Sequence, residues 1–285
     1  MGTIQLAIGI VLYKNDLNLL YKSLLGFKEQ LLSSLPISIE LGIIDNSQGS
    51  QLRQVLKIAD DLNLSVSVSQ QGENIGFGAG HNCLFRNLQA MNREMDYYLC
   101  ANPDGIPHQR MIENLVVFAQ ARNNQGLFEA RQFPIEHPKI YDPKTFATGW
   151  CSGCCLLIPF PVYERLDGFD ESFFLYCEDV DLSWRAQMLG YQCYTVPNAL
   201  FYHYVFGEDR NISRQDLEMT ISAYKLAAKY GNIDATQKEL LRLRELVSQE
   251  ELQKICSVDL KKIPLDMVPT YIDFNHGRYF SPSRW

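Results

Sequence analysis

No run of residues in this sequence approaches the ~20 apolar positions that a membrane span requires. The apolar start, Met1–Tyr13, lacks a basic flank and a small-residue cleavage site and soon turns polar, so it is read as a first core strand rather than a signal peptide. Positive charge is also short. The 26 Lys and Arg against 33 Asp and Glu leave a net charge of −7, which argues against nucleic-acid binding, because phosphate backbones draw basic surfaces. A nucleotide ligand is not excluded, since a bound divalent cation can supply positive charge locally. No second pair accompanies Cys151-Ser-Gly-Cys154, so a four-thiolate zinc site is missing, and the 8 cysteines are read as small buried hydrophobes. Internal repeats and low-complexity linkers are absent as well. The expected location is the cytoplasm.

What remains is ordinary globular material, 46% hydrophobic and 21% charged over 285 residues, enough to bury a full-sized core. The first half alternates strands with amphipathic helices. Residues 4–13, 37–44, 64–69 and 97–101 read as strands; 17–35, 52–62, 85–91 and 111–122 read as helices. That alternation implies βαβ units and an α/β sandwich whose ligands collect at the carboxyl ends of the strands. In the second half, 128–133, 148–158, 191–196 and 199–204 read as extended, and 180–189, 213–230 and 236–255 as helical. The aromatic and proline-rich tail, 264–285, has no usable period.

Several segments carry residue types suited to chemistry. Asp45-Asn46-Ser47 ends a strand, where a carboxylate can bind a base or ribose or simply close an Asx turn. Asn74-Ile-Gly-Phe-Gly-Ala-Gly-His-Asn82 is glycine-rich between a strand and a helix, so its backbone can approach an anionic ligand. It lacks the Lys-Ser/Thr of a P-loop, and glycine loops also serve as plain turns. Asn102-Pro-Asp104 follows another strand and offers a carboxylate for Mg²⁺ or Mn²⁺, or a cap for the next helix. In Gly168–Arg185, Glu178 and Asp179 open a helix beside Phe173, Phe174 and Tyr176. One of these acids can act as a general base; the plainer reading is favourable charge at a helix start, with one acid pairing Arg185. His203 ends an apolar strand, as a structural residue or as a metal ligand.

In this order the motifs resemble those of the glycosyltransferase family 2 enzymes of the GT-A fold, especially their bacterial rhamnosyltransferase-like branch. Asp45-Asn-Ser47, Asn74-x-Gly-Phe-x-x-Gly-x-Asn82 and Asn102-Pro-Asp104 resemble the donor-side motifs. Gly168-Phe-Asp-Glu-x-Phe-Phe-x-Tyr-x-Glu-Asp-x-Asp-Leu-x-x-Arg185 resembles the acceptor-side block. The likeness covers roughly residues 4–206. It implies a Rossmann-like, mostly parallel sheet flanked by helices over residues 1–212, with a helical C-terminal extension over 213–285.

The resemblance further implies inverting transfer of rhamnose or another hexose from a dTDP- or UDP-linked donor. The acceptor is a glycan or lipid-linked glycan, such as a growing bacterial surface polysaccharide. Donor contacts fall to Asp45, Asn74, Gly76, Phe77, Gly80, Asn82, Asn102 and Asp104. Asp104 and His203 hold Mg²⁺ or Mn²⁺. Asp179 is the base with Glu178 beside it, and Gly153, Phe174, Tyr176, Asp181 and Arg185 lie on the acceptor side. One departure is visible: the family's Asp-x-Asp reads Asn102-Pro-Asp104, which puts more weight on His203.

The alternatives are an inactive nucleotide-sugar-binding protein, against which the Glu178-Asp179 pair speaks, and a nucleotidyltransferase. The latter needs a basic glycine-rich loop near the first strand, where Val11-Leu-Tyr-Lys-Asn15 stands instead. The extension's mixed charges favour packing or homodimerisation through its helices over contact with the inner face of a membrane.

Overall fold

Strand β1 (Ile4–Leu12) shows how the sheet is built. Its alternate residues Leu6, Ile8, Ile10 and Leu12 enter one core, and Ala7 enters the other, so both faces of this central strand are buried. In chain order α1 (Leu17–Lys28), β2 (Ile37–Asp45), α2 (Leu52–Asp61), β3 (Val66–Gln70), α3 (Phe77–Ala90) and β4 (Tyr97–Ala101) complete the first half. Then follow β5 (Gly105–Pro107), α4 (Met111–Gln120), β6 (Gly126–Phe133), β7 (Cys155–Pro159), α5 (Phe160–Arg165), α6 (Glu178–Met188) and β8 (Gln192–His203). Three more helices, α7 (Ile212–Lys229), α8 (Ile233–Leu246) and α9 (Gln249–Cys256), precede the tail. This computed structural model describes residues 2–91, 94–203 and 212–285.

The eight strands form one sheet in the order β3-β2-β1-β4-β7-β6-β8-β5. The first four are parallel; β7 runs antiparallel to β4 and β6, β6 and β8 are parallel, and β5 is antiparallel to β8. The sheet is therefore mixed, with its parallel βαβ character confined largely to the first half. Helices α1, α2 and α4 cover one face through Leu20, Leu24, Phe27, Val55, Met111 and Leu115. Helices α3, α5 and α6 cover the other through Leu84, Phe85, Phe160, Tyr163, Leu182 and Ala186.

A third core joins α6 to the C-terminal helices and the tail: Trp184, Phe173 and Val180 pack with Ala223, Leu226, Tyr230 and Phe280. Burying side chains as large as Trp184 or Tyr230 stabilises by about 2–3 kcal/mol each. The helices after residue 212 thus share a core with the block that opens α6.

Several boundaries differ from the sequence reading. Helix α1 stops at Lys28 rather than 35, because the Leu31 amide bonds the Gln109 carbonyl and the Ser34 amide and hydroxyl both bond Glu113. The extended segment expected over 148–158 is a strand only from Cys155; the preceding residues form a loop. Segments 191–196 and 199–204 are one strand, β8, whose register with β6 shifts across Pro197, where a ladder N–H is missing. Its expected last residue, Tyr204, lies outside the described residues. The helix expected over 236–255 breaks at Val247, after which Ser248 and Glu251 form a reciprocal capping box that starts α9.

Candidate active site

Parallel pairing brings the carboxyl ends of β1, β2 and β4 to one edge, with Leu12 beside Asp45 and Ile10 beside Ala101. The turns that leave this edge hold most of the expected donor-side residues. At the end of β4, the Asn102 amide bonds the Cys154 carbonyl, and the Asn102 side-chain nitrogen lies 3.3 Å from His203 Nε2. Asp104 Oδ1 lies 3.5 Å from the same nitrogen and is about a quarter exposed. On its other side, His203 Nδ1 is 3.2 Å from Gln132 Oε1. A carbonyl oxygen accepts there only if Nδ1 carries the proton; in the neutral ring the Nε2 lone pair then lies on the side of the Asp104–Asn102 turn. Among the described residues no three His, Cys, Asp or Glu side chains converge as a self-contained metal site. Asp104 and His203 supply one oxygen and one nitrogen, which suits an ion completed by phosphate and water oxygens.

The glycine-rich segment is shorter as a loop than its sequence suggests, because α3 begins at Phe77. Gly76 is its N-cap at φ +89°, and a Cβ there would strike the Phe174 carbonyl, which also accepts the Phe77 amide at 3.1 Å. Asn74 Oδ1 accepts from the Gly76 amide at 3.0 Å, and Asn46 Nδ2 donates to the Gly76 carbonyl. The donor-side loop is thereby tied to the Phe174 backbone.

Two expected donor contacts, Gly80 and Asn82, are packed or bonded within the protein. Gly80 sits inside α3 over the sheet, where an added Cβ would meet Val11 at 2.9 Å; its smallness serves helix–sheet packing. Asn82 is buried, and both ends of its amide are engaged: Nδ2 donates to the Phe169 carbonyl and Glu171, while Oδ1 accepts from Tyr163 and the Phe169 amide. It rivets α3 to the Gly168–Glu171 segment. Asp45 is fully buried at the strand end, and its oxygens accept the amides of Ser47 and Gln51.

On the acceptor side, Tyr176 and Cys177 enter α6 with φ of +70° and +62°. Left-handed backbone at two successive non-glycine residues is strained, and such strain gathers where a function fixes the chain. Asp179 follows, partly exposed. Its Oδ2 accepts the Gly153 amide at 2.9 Å and its Oδ1 the Val180 amide at 2.8 Å. Burial raises its carboxyl above the ordinary range, and these two amides oppose the rise. Glu178 is more deeply buried, and its Oε2 has no hydrogen-bond partner among the described residues. Burial first, and the neighbouring Asp179 second, push its carboxyl well above the usual range, which favours the neutral form.

Asp181 and Arg185, expected on the acceptor side, are engaged with internal partners. Asp181 is fully buried, accepts from Arg185 Nε at 2.7 Å and the Tyr230 hydroxyl at 3.1 Å, and is ion-paired with Lys229 Nζ at 2.6 Å. Arg185 Nη1 and Nη2 donate to the Leu166 and Gly168 carbonyls. The helical spacing of Asp181 and Arg185 had allowed this pairing; Lys229, from a distant helix, had no sequence signal.

The sequence also hid the loop between Trp150 and Cys154. Glu129 on β6 is buried and accepts the Ser152 amide, the Thr195 hydroxyl and Lys139 Nζ. Trp150 Nε1 donates to the Tyr279 carbonyl in the tail. Cys151 and Cys154 are free and buried, as small hydrophobes. A lone Glu in a strand and a lone Lys ten residues on carry no motif.

No family model matches the chain. In sequence it is 26% identical to the rhamnosyltransferase WbbL of Escherichia coli (strain K12) over 167 residues, which are 48% of this chain and 63% of that protein. A stretch of 63 residues, 22% of this chain and 20% of the other, is 40% identical to the N-acetylglucosaminyl-diphospho-decaprenol L-rhamnosyltransferase of Mycobacterium tuberculosis. The matches therefore span less than two thirds of these relatives' length. Among solved structures, the mannosyltransferase PcManGT from Pyrobaculum calidifontis, in complex with GDP-Man and Mn²⁺, superposes with a TM-score of 0.59 at 14% identity. That likeness covers 88% of this chain and 78% of the other. The fold is that of the GT-A glycosyltransferases, and the sequence is similar to rhamnosyltransferases. No helix among the described residues is long and apolar enough to cross a membrane.

Proposed function

We propose that this chain is an inverting glycosyltransferase that moves rhamnose or another hexose from a dTDP- or UDP-linked donor to a hydroxyl of a growing, lipid-linked glycan. One observation carries the reading. The loop Ser152–Cys154 meets the base candidate at Gly153, whose amide bonds Asp179, and the diphosphate-side turn at Cys154, whose carbonyl accepts the Asn102 amide. The two halves of a displacement reaction are thus held by adjacent residues of one loop.

In the proposed reaction the acceptor hydroxyl oxygen attacks the anomeric carbon as the bond to the diphosphate oxygen breaks. The hydroxyl proton passes to Asp179, and attack opposite the leaving group inverts the anomeric configuration. Burial biases the neighbouring Glu178 toward its neutral form, in which it would donate a hydrogen bond beside this carboxylate. Asp104 and His203 would hold Mg²⁺ or Mn²⁺, which when bound neutralises charge on the departing diphosphate. Asn74, Gly76 and Phe77 line the donor side, and Phe174 and Tyr176 the acceptor side, joined where Phe77 bonds Phe174.

Asp104→Ala tests the donor side. Titration calorimetry with dTDP or UDP and Mn²⁺ is expected to show metal-dependent binding in the parent chain and its loss in the variant, with the melting temperature little changed. Unchanged affinity removes Asp104 from the metal site. His203→Ala is expected to raise the Mn²⁺ concentration for half-maximal donor turnover by about tenfold or more. A variant that only melts early and keeps the parent's metal response gives His203 a structural role instead.

A further inference from the structure

Behind the loop that meets the base candidate lie two buried charged side chains, Glu129 and Lys139, and the reaction as described uses neither. Each is about 3% exposed. Lys139 Nζ contacts both Glu129 oxygens, at 2.7 and 2.6 Å, and lies 4.4 Å from the centre of the Trp150 ring. A buried ion pair is weak evidence for stability, because desolvation offsets most of its attraction and an apolar pair of equal volume serves as well. Its position is more informative. Glu129 Oε2 accepts the Ser152 amide, and the next amide along the chain, that of Gly153, donates to Asp179 Oδ2 at 2.9 Å. Two consecutive peptide N–H groups are thus each fixed by a carboxylate, and turning one peptide disturbs the other.

We infer that Glu129 and Lys139 form a positioning pair, with Glu129 holding the Ser152–Gly153 backbone against the Asp179 carboxylate and the two charges together setting the field in which that carboxylate works. The inference rests on the reading of Asp179 as the base. Lys139 is itself held by the C-terminal tail. Its segment bridges to Ser283, the Ile140 amide bonds the Pro282 carbonyl, and the Arg284 amide bonds the Pro138 carbonyl. Cation, anion and loop therefore form one chain from the tail to the catalytic carboxylate.

Among the described residues, the charged and titratable groups that act on Asp179 are Glu178 and Cys177 at the head of its own helix, Cys154 on the loop with Asp104 beyond it, and Glu129 and Lys139 behind the loop. Lys139 draws the Asp179 carboxyl down and Glu129 pushes it up, against the larger rise that burial causes. A general base must be deprotonated, so the acid limb of the turnover profile follows this carboxyl. Glu129→Gln keeps an acceptor for the Ser152 amide and removes the negative charge; it is expected to move the acid limb of kcat to lower pH. Lys139→Met is expected to move it to higher pH. Each shift is about one pH unit, in opposite directions.

Because either single change leaves a lone buried charge, two double variants are made as well. Glu129→Ala/Lys139→Met removes the acceptor for Ser152, whereas Glu129→Gln/Lys139→Met retains it. The first is expected to have a kcat at least about tenfold below the second, with the donor KM equal in both, as for a misplaced catalytic group. Limbs that stay in place or move together overturn the inference, as does equal kcat in the two doubles where the singles do not fold. An active Asp179→Asn enzyme sinks the reading of the base itself; an inactive one beside unmoved limbs sinks only the positioning pair.

Discussion

Replacing Asp179 by asparagine is expected to lower turnover by about 10²–10⁴-fold, the usual loss for a general base, while donor affinity stays within a few-fold. The substitution keeps the shape of the side chain and an oxygen for the Gly153 amide but removes the proton acceptor. Burial raises the Asp179 carboxyl, so the parent enzyme's turnover should rise with pH through a value above the ordinary carboxylate range and then level off. In the variant that rise disappears. Glu178→Gln is expected to cost far less, because the Gly153 amide bonds Asp179 and not Glu178, and burial already biases Glu178 toward a neutral form that the amide resembles. Steady-state turnover and donor titration on both variants decide the assignment. An active Asp179→Asn enzyme beside an inactive Glu178→Gln enzyme would reverse it.

The second large effect concerns Lys229, at the end of α7. It is buried and makes contacts of 2.6 Å to Asp170 and to Asp181. Lys229→Met leaves two carboxylates short of their cation, and breaking a buried pair in this way costs about 3–5 kcal/mol. In a chain of this size that corresponds to a melting temperature lower by about 10 °C. Burial works to raise the Asp170 carboxyl, but Lys229 outweighs it and holds the group at about 2. A depressed carboxylate stabilises above its unfolded value near ~3.9 and loses that contribution as pH falls toward its folded one. The stability gap between parent and variant should therefore narrow below about pH 4. A variant melting within a degree or two of the parent would show that α7 is not tied to the acceptor block, and that the extension after 212 is energetically separate.

What the sequence made legible follows from range. Strands β1, β2 and β4 and the turns at their ends could be read because alternation and strand-end acids are local signals. Asn102, Asp104 and His203, a hundred residues apart, were grouped through the motif resemblance, and the structure brings them within 3.5 Å. The start of α3 was misread because glycine was taken as loop material. Gly78 and Gly80 are instead helical, small where Phe169 and Val11 press on the helix. Asn82, Asp181 and Arg185 were polar residues in a motif-rich stretch whose partners, Tyr163 and the Phe169 backbone for the first and Lys229 for the acid, come from elsewhere in the chain. Glu129 and Lys139 lay outside every motif, and only the folding of β6 beneath the Trp150–Cys154 loop gives them a role. The tail, without period, packs by individual aromatic contacts such as Trp184 with Phe274 and Phe280.

The most direct test of the catalytic reading is the configuration of the sugar set free when the donor is turned over. Proton NMR can follow a panel of dTDP- and UDP-linked hexoses, dTDP-rhamnose included, incubated with the protein and Mn²⁺, with water as the acceptor. One donor is expected to release its nucleoside diphosphate, and the first free sugar to appear should have the anomeric configuration opposite to the donor's. A first-formed sugar of retained configuration, or a donor that binds with Mn²⁺ and is never broken down even with lipid-linked glycan present, would contradict an inverting transferase with Asp179 as its base.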